Sequence, residues 1–236
     1  MIKSAETNEE ILVQIGRDLK GMLARIRSCN YTLYKNFEKD LDEDSRKFFQ
    51  TIERDCDSIK SIIHNMISVD SCFDDDYEQA PKTVVLNHII KKIVDEFPAQ
   101  TFKEKNIKIV YEDLDEEIYI YIDEQAITKV LEQLLTNACK FSYTDGQVVV
   151  KLVKYANVAN ISVSDQGIGI PKKLRPYIFN KFSKATRRGT MGEESSGLGL
   201  YLAKNIIERH QGSIWYESQE DNGSNFFINL PLRDRI

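Results

Sequence analysis

The 236-residue chain has no run of 18 apolar residues, so nothing in it reads as a transmembrane helix. Its first ten residues, MIKSAETNEE, lack the apolar centre of a signal peptide. The expectation is a cytoplasmic chain that makes no membrane contact of its own. Its four cysteines, Cys29, Cys56, Cys72 and Cys139, lie far apart with no CxxC, which excludes a zinc ribbon and suggests reduced thiols. His64, His88 and His210 show no metal-ligand spacing. There is no tandem repeat and no low-complexity tract. The net charge of −5 gives no reason to expect nucleic acid binding as the main task. What is present is an apolar share of 42%, enough for an ordinary core, and a charged share of 29%, suited to helical surfaces.

The first 70 residues contain no proline and only two glycines. Leu12, Ile15, Leu19, Met22, Ile26, Cys29 and Leu33 recur at alternating spacings of three and four, as do Phe49, Ile52, Cys56, Ile59, Ile63 and Met66. These are two a/d seams. The polar KDLDEDS (39–45) reads as the turn between them, so residues 8–72 read as a helical hairpin. Two helices alone cannot enclose a core. Pairing two hairpins into a dimeric four-helix bundle would do so. The alternative is that the hairpin folds back on its own chain. Domain 1 is therefore residues 1–73.

The run DDDYEQAPK (74–82) loses the periodicity and reads as a linker. From 83 to 236 the texture is mixed. Strands are expected at 83–86, 106–112, 117–123, 148–154, 159–165, 213–218 and 226–232, and helices at 88–102, from the Asp123 cap to about Lys140, and at 198–210. Strands and helices do not alternate strictly, so the fold class is α+β, a two-layer sandwich.

Four motifs stand in this half. LLTNACKFS (134–142) closes a helix and puts Asn137 and Lys140 on one face. An amide oxygen can ligate Mg²⁺, and an ammonium can meet phosphate; an Asn and a Lys there can equally be solvated surface. DQGIGIP (165–171) follows a strand, with Asp165 placed to accept from a ligand amino group and Gly167 and Gly169 allowing close approach; a plain glycine turn is the other reading. In IFNKFSKA (178–185), Phe179 and Phe182 read most simply as core anchors. In SSGLGLYLAKNIIERHQG (195–212), Gly197 and Gly199 open a helix whose amides and dipole favour an anion. The polar ATRRGTMGEES (185–195) suits a mobile lid.

In this order and spacing the four motifs resemble the N, G1, F and G2 boxes of sensor histidine kinases, over roughly residues 83–232. That ATP-binding fold is shared with the Hsp90, gyrase B and MutL ATPases. The resemblance implies ATP and Mg²⁺ as cofactors. Asp165 would bond the adenine amino group, and Gly167 and Gly169 would admit the purine. Asn137 would hold Mg²⁺, Lys140 and Lys184 would approach phosphates, and Phe141 would line the nucleotide site. Ser196, Gly197, Leu198 and Gly199 would cap the phosphates with main-chain donors. Two departures are visible. Clamp ATPases carry a general-base Glu four residues before the Mg²⁺ Asn; here Gln133 cannot take a proton, which favours the kinase branch. Ser195 stands where a glycine usually precedes the G2 pair.

The hairpin in turn resembles the dimerisation and phosphotransfer domain of these kinases. Their acceptor motif reads His, Asp or Glu, Leu, Lys or Arg, any residue, Pro, Leu. The same frame here is Arg17, Asp18, Leu19, Lys20, Gly21, Met22, Leu23. The acid, Asp18, is in place; the histidine and the proline are not. With Leu12 at heptad position a, Arg17 falls at the exposed f position. A guanidinium only donates and cannot accept a phosphoryl group. Gly21 replaces the Asn or Thr on which the family's phosphatase activity leans. Natural degeneration, an engineered change or a substitute histidine would each explain Arg17. His64 at a b position reads as surface, and His210 as structural. The expected function is two-component signalling: ATP-dependent histidine autophosphorylation, then transfer to a response regulator receiver domain, by a homodimer that stands alone or forms the cytoplasmic part of a larger sensor. Without the acceptor, a pseudokinase scaffold or heterodimer partner is the alternative, and a clamp-type ATPase the other.

Overall fold

The computed structural model describes residues 2–71, 81–97, 102, 104–183, 185–193 and 195–232; within the first helical segments only the backbone is described at 2–13, 54, 57, 58, 61, 62 and 64–71. The chain divides into two compact units, Met1–Asp75 and Asp76–Ile236.

The first unit is an antiparallel pair, α1 (Ile2–Phe37) and α2 (Glu43–Ser71). Asp42 starts α2: its carboxylate accepts from the Ser45 amide at 2.8 Å, satisfying one of the helix's orphan donors. Glu43 and Asp44 then sit at the positive end of the dipole. Arg46 ties the turn together by donating to the carbonyls of Glu38 and Leu41.

On α1 the helices meet along a line that its a/d seam does not describe, whereas α2 uses the Cys56 and Ile63 positions of its own seam. On α1 the buried positions are Gly16, Leu23 and Asn30, seven apart and one step beyond the seam. They face Cys56 and Ile63 of α2, also seven apart, and the Asn30 amide donates to the Phe49 carbonyl at 3.2 Å. The seam residues Ile15, Leu19, Met22, Ile26 and Leu33 of α1, with Ile52 and Ile59 of α2, remain exposed. Met22, expected as an ordinary core residue, is 50% exposed within one chain. Each helix thus carries a wide apolar stripe, of which the hairpin's own contact covers one edge.

The second unit opens with a two-stranded ribbon, β1 (Lys82–Val85) paired antiparallel with β3 (Tyr119–Ile122). Between them lie α3 (Leu86–Glu96) and β2 (Lys108–Glu112). α3 begins at Leu86, inside the expected strand, and stops at Glu96 rather than continuing to 102. Phe97 precedes Pro98, and a residue before proline is pushed out of the helical region; its ψ is 127°. α4 (Glu124–Phe141) is capped as expected by Asp123, whose carboxylate accepts from the Ala126 amide at 3.1 Å.

The main sheet is β2-β4-β5-β7-β6, with β4 (Gln147–Tyr155), β5 (Val158–Asp165), β6 (Ser213–Ser218) and β7 (Ser224–Pro231). β2 runs parallel to β4, and every other pairing is antiparallel. Alternate residues Val148, Val150 and Leu152, Ala159, Ile161 and Val163, and Phe226, Ile228 and Leu230 are buried. They meet the apolar faces of α4 and of α5 (Gly199–Arg209), which supply Ile127, Leu131, Leu134, Leu135, Ala203, Ile206 and Ile207. This is a two-layer α+β sandwich. Its helical layer is pinned by His210, whose Nδ1 meets the Ile206 carbonyl at 2.8 Å while Nε2 accepts from the Asp123 amide at 3.1 Å. That bond joins the end of α5 to the start of α4. Among the described residues no helix is long and apolar enough to cross a membrane.

Candidate functional site

The end of β5 meets the end of α4, and the start of α5 lies against α4 at Gln133. Ser142, just after α4, bridges to Gly167, just after β5, and the Ile168 amide donates to the Phe141 carbonyl at 3.1 Å. A Cβ at Gly167 would run into that same Phe141 carbonyl, and one at Gly169 into the Gln219 carbonyl. The space these two glycines leave is therefore filled by the protein's own backbone. They draw three segments together rather than leaving an opening for a ring. Gly199 serves likewise at the α5 start, lying against the Gln133 amide.

Asp165 ends β5 in a half-buried position. Its Oδ1 accepts from the Gly167 amide at 2.9 Å. Burial pushes its carboxyl up to about 6, against the opposing pull of the Gly167 and Ser224 amides and the Arg187 charge. Such a group is poised to accept one strong hydrogen bond from a ligand that shields it from water.

Asn137 sits one α4 turn beyond Gln133, and its Oδ1 accepts from Gln133 Nε2 at 3.1 Å. That bond orients the amide oxygen and leaves it one further lone pair. Lys140 is buried rather than solvated, with its ammonium 5.8 Å from the centre of the Phe141 ring. At α5, no side chain caps the N-terminal amides; Leu198, the cap residue, is fully buried, and Gly197 has φ +69°. Ser196 Oγ, just upstream, accepts from the Leu198 amide at 3.3 Å. Asn137, Lys140, Phe141, Asp165, Gly167, Gly169, Ser196, Gly197, Leu198 and Gly199 thus belong to one region of the second unit. Lys184 lies outside the described residues.

The two phenylalanines expected as core anchors differ. Phe179 packs on Tyr216, with ring centres 6.0 Å apart. Phe182 has φ +50° and is exposed, its ring 5.6 Å from the Lys181 ammonium rather than in the core. The backbone turn into the segment that follows throws its ring outward.

That segment supplies what sequence reasoning missed. Lys105, 1% exposed, donates to the carbonyls of Cys139 (3.1 Å) and Lys140 (2.6 Å) and ion-pairs with Glu193 at 2.6 Å. It caps the C-terminal end of α4 where the dipole is negative. Burial pushes the Glu193 carboxyl up, but the Lys105 hydrogen bond, backbone amides and the Lys105 charge together hold it below its usual value. Thr190 donates its amide to the Lys140 carbonyl at 3.1 Å and its hydroxyl to the Ser142 carbonyl at 2.7 Å. Arg187 donates to the Gly169 carbonyl and lies over the Phe141 ring, 4.7 Å from its centre. A lone lysine in a loop and an arginine in a polar run carry no sequence signal of such contacts.

In the first unit, Arg17 and Asp18 are exposed on α1. Arg17 donates to Gln14 Oε1 at 3.2 Å, and Gln14 donates to Asp18 Oδ1 at 3.0 Å. His64 lies within α2, its side chain outside the described residues. His88 is exposed, 3.4 Å from the Glu117 carboxylate.

Residues 122–234 match the family model described as histidine kinase-, DNA gyrase B-, and HSP90-like ATPase. Over 234 residues the chain is 26% identical to the sensor histidine kinase WalK of Bacillus subtilis, a match covering 98% of this chain and 38% of that protein. The second unit carries the GHKL-type ATP-binding domain of sensor histidine kinases. Among solved structures, full-length ShkA in complex with AMPPNP superposes with a TM-score of 0.71 at 19% identity, covering 94% of this chain and 46% of that one. The catalytic domain of the histidine kinase ThkA, nucleotide free, gives 0.55 at 28% identity, covering 64% and 95%. The chain spans little more than a third of the length of the curated WalK relative.

Proposed function

We propose that the second unit binds ATP with Mg²⁺, that the hairpin pairs with a second copy of this chain, and that position 17 no longer accepts phosphate. The observation that carries the first reading is the presence in one unit of a half-buried carboxylate at the β5 end and an α5 N-terminus that no side chain caps, each beside α4 or the segment that follows Phe182. One selects an amino group, the other an anion, and adenine nucleotides present both. Asp165 would accept from the adenine amino group, with Phe141 beneath the ring. Lys140 and Lys184 would meet phosphate oxygens, and the amides of Ser196 to Gly199 would close around them.

Mg²⁺ fits the donors present. Among the described residues no cluster of three His, Cys, Asp or Glu could hold a metal alone. Mg²⁺ commonly takes one or two protein oxygens and completes its shell with water and phosphate. Asn137 Oδ1, oriented by Gln133, is such an oxygen. When bound, the ion would neutralise phosphate charge. Gln133 has no basic atom with which to activate water, which disfavours the clamp-ATPase reading.

A pseudokinase reading is favoured by Arg17 in particular: a nucleotide-dependent scaffold or heterodimer partner that still engages a response regulator receiver domain. The test of the ATP reading is calorimetry on Asp165→Asn. Losing a charge-assisted hydrogen bond in a shielded site costs about 1.5–3 kcal/mol, so ATP affinity should fall by roughly one to two orders of magnitude. Unchanged affinity in a folded variant would reject the assignment.

A further inference from the structure

The Asp165 carboxylate and the Phe141 ring form the two sides of the proposed adenine seat. One side chain of the same unit already lies there. The Arg187 guanidinium stacks over the Phe141 ring at 4.7 Å and donates to the Gly169 carbonyl at the seat's rim. It is also an electrostatic neighbour of Asp165 and of Glu220. A guanidinium is flat, delocalised and rich in N–H donors. It therefore offers the same two things an aminopurine would: a planar face for the aromatic ring and a donor edge near the carboxylate.

The segment around Arg187 is tied down on the far side as well. Ser195 Oγ donates to the Arg187 carbonyl at 2.7 Å. Thr190 holds the carbonyls of Lys140 and Ser142, and Glu193 is paired with buried Lys105. The Gly189 amide donates to the Glu193 carbonyl at 2.8 Å, closing a tight loop over the end of α4. A Cβ at Gly189 would meet both the Glu193 carboxylate and the Lys140 side chain. Nothing in this arrangement needs a nucleotide, because the protein's own groups satisfy it.

We propose that Arg187 is an internal stand-in for the purine: residues 185–193 close over the nucleotide seat with Arg187 in the adenine position, and ATP binds by displacing it. The proposal rests on the ATP-binding reading above. The competent state is only the fraction with Arg187 withdrawn, and apparent affinity is reduced by that fraction. The Lys105–Glu193 pair and the Thr190 bonds then act as the latch that returns Arg187 to the seat.

The test is calorimetry of the full chain with two probes, Mg²⁺–ATP and adenosine alone. Arg187→Ala, and Arg187→Met to keep the apolar stem, should tighten both by roughly the same factor, on the order of tenfold, because both probes need the purine seat vacated. Amide hydrogen exchange without nucleotide should rise at Gly189 and Thr190 in both variants. Three results would overturn the proposal: unchanged affinity for both probes, weaker ATP binding with adenosine unaffected (Arg187 then grips phosphate), or unchanged exchange at those amides. If ATP binding depends on Asp165 but not on Arg187, only this proposal falls. If neither the wild type nor the variants bind ATP, the nucleotide reading fails and this one with it.

Discussion

Asp165 illustrates how one residue carries both an energetic cost and a use. Its carboxyl ordinarily titrates near 3.8 and is pushed up to about 6 by burial. The folded form holds the proton more tightly than the unfolded one, so this group's contribution to stability is greatest at low pH and is lost as pH rises from about 4 to about 6. Keeping the carboxylate ionised at neutral pH costs the fold about 1–3 kcal/mol. Asp165→Asn should therefore raise stability at pH 7 by an amount of that order and lose the advantage by pH 4, as urea melts at the two pH values would show. Affinity should move the other way. An aminopurine needs the ionised acceptor, so ATP binding by the wild type should weaken about tenfold between pH 7.5 and pH 5, while Asp165→Asn binds weakly and without that slope. A flat wild-type profile would remove Asp165 from the nucleotide contact. The place of Asp165 at a strand end before two glycines was legible. The roles of those glycines were only half legible: they serve backbone crossings to Phe141 and Gln219, which no local pattern announces. Lys105 and Arg187 were not legible, because their partners lie tens of residues away along the chain.

At the scale of the element, periodicity located both hairpin helices and the cap of α4, since each rests on neighbours within one or two turns. It failed where two kinds of local rule compete. The apolar pattern from Ile89 to Phe97 reads on past Glu96, but Pro98 forbids Phe97 the helical conformation and α3 ends there. In the hairpin, the seams were legible but not which contact they serve. α1 meets Cys56 and Ile63 of the α2 seam through Gly16, Leu23 and Asn30, and the α1 seam residues Ile15, Leu19, Met22, Ile26 and Leu33, with Ile52 and Ile59 of α2, are left facing water. A line of half-exposed Ile, Leu and Met along both helices is costly in a monomer, and burying it against a second copy would return roughly 1 kcal/mol per side chain. The full chain should therefore sediment as a dimer. Ile26→Glu with Ile59→Glu would bury unpaired carboxylates in that contact and should give monomers that keep their helical circular dichroism. Wild-type protein that sediments as a monomer across micromolar concentrations would dismiss the four-helix bundle.

For the whole molecule the question is whether the two units complete one reaction. Histidine phosphorylation needs a phosphoryl donor held by one unit and a nucleophilic lone pair presented by the other. The exposed position on α1 that matches the acceptor frame holds Arg17, whose guanidinium is a hydrogen-bond donor without a nucleophilic lone pair and donates to Gln14. Incubated with Mg²⁺ and labelled ATP, the wild-type chain should form no acid-labile, base-stable phosphoprotein. Two of the three histidines are poor substitutes. His210 has both ring nitrogens engaged, at Ile206 and Asp123, and His88 stands beside the Glu117 carboxylate at the start of α3. Arg17→His would place an imidazole next to Asp18, which lies within reach to orient it and take its proton. Some labelling should return, but not all. α1 runs unbroken from Ile2 to Phe37 through Met22, where the family's motif has a proline that removes one helical hydrogen bond and bends the segment after the acceptor. Arg17→His with Met22→Pro should therefore label faster than Arg17→His alone, at the expense of some helix stability. Strong labelling of the unmutated chain, mapped to His64, His88 or His210, would mean that a different residue has taken over the acceptor role, and the pseudokinase reading would be abandoned.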